Sequence, residues 1–303
     1  MAVPRVGLVG CGRWGRNIAR VLAAEGALAA IAVRNHDPVA GFAAGLGAEL
    51  LTPDDLLGRA DIEAVALAVP PAEHRRLVTA ALAADKHVFV EKPLALTGAD
   101  ARACAEAAGV AGRVLMVGHI MRHNPAFARL LALVREGAVG KVRHAGSVRL
   151  NAASVKPGDS ALWLLAPHDA SMLLPLLGAP MAVTAEVEDG EHRVRLAYAD
   201  GVTAQIRVSR TAPAKHSELV VTGETGAIVY EDTAPPDRRL VLYAGDPERR
   251  TGGQAIALPP IEPLAAEMAC FLGAVRGLNP PLADAAEGVA VVELLERAEA
   301  ASG

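Results

Sequence analysis

Apolar positions in the first part of the chain fall in short unbroken runs, most of them followed by a stretch with helical spacing. Val6-Gly7-Leu8-Val9, Leu28 to Val33, Ala64-Val65-Ala66-Leu67-Ala68-Val69, His87-Val88-Phe89-Val90 and Val114-Leu115-Met116-Val117 read as buried strands. Ile18, Val21 and Leu22 form a helical stripe after the first run. Leu77, Val78, Ala81 and Leu82 form another after the third, where Pro70-Pro71 ends the strand and opens the helix. Ala99 to Ala108 is a further helix. Strands alternating with helices predict a doubly wound parallel sheet covered on both faces. A ligand crevice is expected beyond the carboxyl ends of its strands.

The pattern changes after about Asn124. A helix from Pro125 to Glu136 carries Phe127, Leu130, Leu131 and Val134 on one side. Later segments alternate with period two. His192, Val194, Leu196 and Tyr198 share one face, Arg193 and Arg195 the other, and Val202-Ala204-Ile206-Val208 answers them across an Asp200-Gly201 turn. Leu219-Val220-Val221, Gly226 to Tyr230 and Leu240 to Tyr243 continue the series. These predict a large, mostly antiparallel open sheet with one face on helices. A proline-rich stretch then leads to a helix with Leu264, Met268 and Leu272, and a last helix runs from about Ala285 to Ala300. The expected division is residues 1–121 and 122–303, with the C-terminal helices packing back on the first domain.

Gly10, Gly12 and Gly15 interrupt the first strand–helix passage with the spacing of a dinucleotide-binding loop. Gly10 permits a sharp turn, Gly12 leaves room for a diphosphate, and Gly15 lets the helix approach the strand. Free N–H groups at the helix start then face the phosphates. Arg13 and Trp14, in the same loop, and Pro70, after the third run, join the expected cofactor-binding set. Where an acid would bind the adenosine 2′-hydroxyl, the chain reads Arg34-Asn35-His36-Asp37-Pro38. With Asn35 in the acid's place and Arg34 before it, NADP is favoured; with Asp37 in that role, NAD is restored.

Composition narrows the partners. A formal net charge of −4 without a basic block recommends neither nucleic acid nor an anionic membrane surface. No uncharged apolar run reaches the length of a membrane span, and no signal peptide is expected at the start. Cys11, Cys104 and Cys270 are few and far apart, which suggests a cytoplasmic location and neither a disulfide frame nor a metal site.

Three further segments carry a resemblance. Val90-Glu91-Lys92-Pro93 closes one strand, and Val117-Gly118-His119 closes the next, followed by Arg122, Asn124 and Pro125. Trp163-Leu164-Leu165-Ala166-Pro167-His168-Asp169 precedes a helix with Met172, Leu173, Leu176 and Leu177. With the glycine loop, in this order, the chain resembles the Gfo/Idh/MocA oxidoreductases over essentially its whole length. The Pro-His-Asp segment and Val148-Arg149-Leu150-Asn151 resemble a sugar and nucleotide-sugar dehydrogenase branch. The resemblance implies a Rossmann domain, an α/β domain with an open sheet, NAD or NADP, and hydride transfer at a hydroxyl-bearing carbon. It also implies a homodimer or homotetramer assembled through the second sheet.

Within that frame Lys92 is expected to polarise the reacting oxygen and His168 to shuttle the proton. Glu91 is expected to support the backbone or cofactor, His119 to line the nicotinamide pocket, and Asp169 to cap a helix. Arg149, Asn151 and Lys156 are candidates for gripping an anionic sugar substrate, with a solvated strand edge as the equal alternative. Relatives commonly carry an aspartate four residues before the histidine, where this chain has Leu164. Three readings follow: His168 and Lys92 suffice, Asp159 or Asp169 substitutes, or the chain is a silent dinucleotide-binding sensor or assembly subunit. Hydride cycling without net redox is a further alternative.

Overall fold

Unbroken apolar runs leave no polar face for water, so they form strands buried on both sides. In the computed structural model, which describes residues 2–151, 160–246 and 251–302, these runs alternate with helices as β1 (Val6–Val9), α1 (Arg13–Ala24), β2 (Leu28–Ala32), α2 (Ala40–Gly45), β3 (Glu49–Leu51), α3 (Pro53–Gly58), β4 (Ala64–Leu67), α4 (His74–Ala83), β5 (His87–Glu91), α5 (Gly98–Ala111) and β6 (Leu115–Gly118). The sheet order is β3-β2-β1-β4-β5-β6, with every pairing between these strands parallel. The strand order turns back between β1 and β4, which opens a crevice at their carboxyl ends. Val9 lies opposite Leu67, Leu67 opposite Val90, and Glu91 opposite Gly118. The residues that follow these strands, Gly10, Ala68, Lys92 and His119, therefore line one edge of the sheet. β3, α2 and α3 have no counterpart in the hydrophobic pattern. They are too short to show a period, and β3 exists through its pairing with β2.

The second sheet follows α6 (Pro125–Arg135) and is built from β7 (Val142–Leu150) and, after α7 (Ala161–Leu177), β8 (Ala182–Glu188), β9 (Glu191–Ala197), β10 (Thr203–Ser209), β11 (His216–Gly223), β12 (Gly226–Glu231), β13 (Leu240–Ala244) and β14 (Gln254–Ala255). Its order is β14-β13-β12-β11-β7-β10-β9-β8, antiparallel between neighbours except for the parallel β7–β10 pair. Ala204 pairs with Leu196 and Ile206 with Val194, and all four are buried. Arg193, Arg195 and Arg207 project from the opposite face into ion pairs with Glu186, Glu188 and Glu191.

One expectation is corrected here. The Pro-His-Asp segment does not precede its helix; it lies inside α7, which starts at Ala161 and runs through Pro167 and Pro175. A proline in a helix costs about 3 kcal/mol. Leu162, Leu165, Met172 and Leu173 of the same helix are buried, at roughly 1.5–3 kcal/mol each, and outweigh that cost.

The chain then forms α8 (Pro263–Val275) and α9 (Ala285–Ser302). Contacts divide the molecule into two units: the chain through Ile120 together with Glu262–Val292, and Met121–Ile261 together with the chain from Glu293 onward. In the first unit Leu264, Met268, Phe271 and Leu272 of α8 share one core with Ile18, Leu22 and Phe89. The Val117 N–H donates to Ala283, and Met116 bridges to Asp284, which covers the β6 edge. No helix of the described residues is long and apolar enough to cross a membrane.

Candidate active site

The crevice at the switch point holds about 310 Å³ and is lined by Gly10, Gly12, Arg34, Pro70, Glu73 and Arg76 among others. Gly10 adopts φ +91°, and a side chain there would collide with the Ala68 carbonyl. At Gly15 a Cβ would strike the carbonyl oxygen of Gly10, so α1 sits as close to the loop as backbone allows. Gly12 is the N-cap of α1, makes no side-chain cap, and a Cβ on it would meet nothing within 4 Å. The first turn of the helix, with Arg13 and Trp14, has no side-chain cap and no acid in it. An uncapped helix start beside a bare glycine fits a dinucleotide diphosphate. Cys11 is buried in the loop, and burial pushes its thiol up against the pull of Arg16 and Arg20, so it stays a thiol.

At the end of β2, Arg34 lines the crevice. Asn35 uses its side-chain oxygen to accept from the Asp37 N–H at 3.2 Å. Glu73 pairs with Arg76 at 2.8 Å, and Arg76, then Arg34, hold its carboxyl below the usual range.

Along the same edge, Lys92 follows β5 and its bond to Pro93 is cis. Glu91 accepts from the Trp14 indole N–H at 2.5 Å and from the Lys92 N–H at 3.3 Å. Gly118 lies opposite Glu91, and a Cβ there would sit 3.0 Å from Phe89 Cζ and 3.1 Å from Glu91 Oε1. His119 is buried immediately beyond. Gly10, Gly12, Gly15, Arg13, Trp14, Pro70, Glu91, Lys92 and His119 therefore all belong to the carboxyl edge of one sheet.

Two residues here escaped the sequence reading. His74, fully buried at the start of α4, stands between the Pro93 carbonyl at 2.7 Å and the Val69 carbonyl at 3.0 Å. Burial lowers its basicity, against the two carbonyls, which favour the charged ring. His74 thereby ties the Glu-Lys-Pro turn to the end of β4. Its signal was a histidine opening an apolar helix just after Pro70-Pro71. The second is Glu267 of α8, fully buried. Its signal was an acid at a core-facing position between Leu264 and Phe271.

The second unit holds His168, half-buried on α7, with Leu164 one turn earlier on the same helix face. Asp169 does not cap a helix. It is fully buried and accepts from Ser147 Oγ at 2.6 Å, Arg149 Nη2 at 3.0 Å and Arg149 Nε at 3.1 Å. The expected anion grip at Arg149 gives way for the same reason: its Nε and Nη2 are committed to this carboxylate. Asp169 is likewise closed as a substitute for the aspartate missing at Leu164. The Asn151 N–H donates to Ser209 and continues the sheet. Lys156 and Asp159 lie outside the described residues. Among the described residues no group of histidines, cysteines and acids could hold a metal ion.

Residues 4–119 match the model of an oxidoreductase family with an NAD-binding Rossmann fold, and residues 127–229 match the GFO/IDH/MocA C-terminal domain. The inositol 2-dehydrogenase of Rhizobium meliloti is 29% identical over 252 residues, 76% of each chain. A crystal structure of a putative oxidoreductase from Magnetospirillum magnetotacticum is 32% identical with a TM-score of 0.87, covering 98% of this chain and all (100%) of that one. The UDP-N-acetylglucosamine 3-dehydrogenase of Acidithiobacillus ferrooxidans is 26% identical with a TM-score of 0.88, covering 100% of this chain and 98% of that one. With its first domain and its second sheet each matching a model of the family, the chain belongs to the GFO/IDH/MocA family of oxidoreductases.

Proposed function

We propose that this oxidoreductase prefers NADP and acts on the hydroxyl/ketone pair of a sugar, cyclitol or nucleotide sugar. The observation that carries the reading is the single sheet edge shared by the uncapped start of α1, the Arg34 crevice and Lys92. Gly10, Gly12, Arg13, Trp14 and Gly15 would hold the diphosphate, with Pro70, Glu91 and His119 completing the cofactor site. Arg34 supports the 2′-phosphate, because it lines the crevice while the Asn35 oxygen is turned to Asp37. Glu73 beside it is offset by Arg76.

When bound, the nicotinamide supplies the hydride acceptor or donor. Lys92 donates a hydrogen bond to the reacting oxygen and stabilises the charge that grows there as its proton departs. His168 takes that proton and returns it in the reverse direction. With Leu164 apolar and Asp169 committed to Arg149, His168 and Lys92 carry the proton chemistry between them. Asn151 remains a candidate substrate contact. The outer face of the second sheet, with its arginine–glutamate rows, is the proposed surface for self-association.

Purified protein mixed with a sugar and cyclitol panel and either coenzyme, followed by nicotinamide absorbance, tests the reading. Lys92→Ala is expected to lower turnover by about 10²–10⁴-fold while coenzyme affinity, measured by calorimetry, is retained. Full turnover in that variant overturns the role of Lys92. Coenzyme binding without turnover on any substrate would favour a silent binding protein.

A further inference from the structure

The crevice at the switch point carries two guanidiniums on its wall. Arg34 follows β2, Arg76 lies on α4, the helix after β4, and both line the same space of about 310 Å³ as Gly10 and Gly12. β2 and β4 flank β1 in the sheet, so the two arginines reach the crevice from either side of the glycine loop. Glu73 is the remaining charged residue of the lining; the others are glycine, proline or apolar. Two positive charges against one negative leave the wall with a net charge of +1.

Glu73 fixes where Arg76 points. It stands at the N-cap of α4, one turn before Arg76, and a single oxygen, Oε2, accepts from Arg76 Nη2 at 2.8 Å and from Nε at 3.2 Å. That contact uses the side edge of the guanidinium and leaves Nη1 uncommitted. A side chain this long loses rotamer freedom when a ligand orders it, and the bond to Glu73 takes up part of that loss before the ligand arrives. Charge points the same way. With Arg34 and Glu73 alone the wall would be neutral, and the carboxylate would repel a phosphate in the crevice. The charges of Arg76 and then Arg34 are both felt at Glu73, so the three groups act on one another.

We infer that Arg76 is a second specificity-determining residue for the coenzyme: with Glu73 holding its side edge, its Nη1 end donates to the adenosine 2′-phosphate alongside Arg34. The inference rests on the NADP preference proposed above. It adds that the preference is written in α4 as well as at the end of β2.

Arg76 is exposed, so replacing it leaves the fold in place. Calorimetric titration of the coenzyme-free protein with NADP and with NAD tests the inference. Arg76→Met should weaken NADP binding by about tenfold or more, and NAD binding by much less. An equal loss for both coenzymes would assign Arg76 to the part they share, and unchanged NADP binding would leave it no contact; either result overturns the inference. The same substitution made on top of Glu73→Gln separates contact from neutralisation. With the acid gone, Arg76→Met should still weaken NADP binding by about tenfold. A loss that vanishes in that background shows that Arg76 merely offsets Glu73, and overturns the inference as well. A wild type that binds NAD as tightly as NADP sinks the NADP reading and this inference with it. A preference that Arg34→Ser abolishes and Arg76→Met leaves intact removes Arg76 alone.

Discussion

Arg34 carries the choice of coenzyme. It lines the crevice beside a glutamate already neutralised by Arg76, while Asn35 spends its oxygen on the Asp37 N–H. A guanidinium-to-phosphate hydrogen bond contributes about 1.5–3 kcal/mol. Arg34→Ser should therefore weaken NADP binding by roughly ten- to a hundredfold, and NAD binding far less. Calorimetric titration with both coenzymes decides it, and an equal loss for the two would show that Arg34 does not read the 2′-position.

In α1 the two glycines of the first turn have separable tasks. Gly15 touches the backbone of Gly10, so a Cβ there must push the helix off the strand. Gly15→Ala should cost about 1–3 kcal/mol of stability by overpacking and weaken coenzyme binding as well. Gly12 faces open space, so Gly12→Ala should leave urea stability within about 0.5 kcal/mol yet still reduce coenzyme affinity by filling the diphosphate's place. If both variants lost stability alike, the space beside Gly12 would not be a ligand's. α7 makes a different point: the segment expected to precede a helix lies inside it, with apolar burial along the helix that contains Pro167 and Pro175.

Across the molecule, buried histidines set the response to acid. His123 is buried, and burial with the nearby Arg122 charge lowers its pKa to about 4 from 6.5. The unfolded chain therefore takes up a proton first as pH falls, and stability present above pH 6.5 is lost on the way to about 4. His74 acts in the same direction. The loss from His123 amounts to about 3 kcal/mol at full protonation. Glu267 has the opposite sign, since its raised pKa favours the folded state toward lower pH. The His123 contribution is thus read as a difference: urea midpoints of His123→Gln should fall less steeply between pH 6.5 and 4 than those of the wild type. Parallel curves would remove His123 as a cause of acid instability.

The local chain was enough for five of the six strands of the first sheet, the glycine loop, the Glu-Lys-Pro turn and the alternating faces of the second sheet. Each is written in neighbouring residues: an apolar run, a glycine spacing, a period of two. Long-range packing settled what neighbours could not. Whether Asp169 capped a helix or paired with Arg149 depended on a strand remote in sequence. Whether Glu267 was a surface acid or a buried one depended on the core that α8 packs into. A charged residue reads the same in sequence whether it faces water or core; only the elements packed against it determine the cost of its charge, and with it the chemistry it can support.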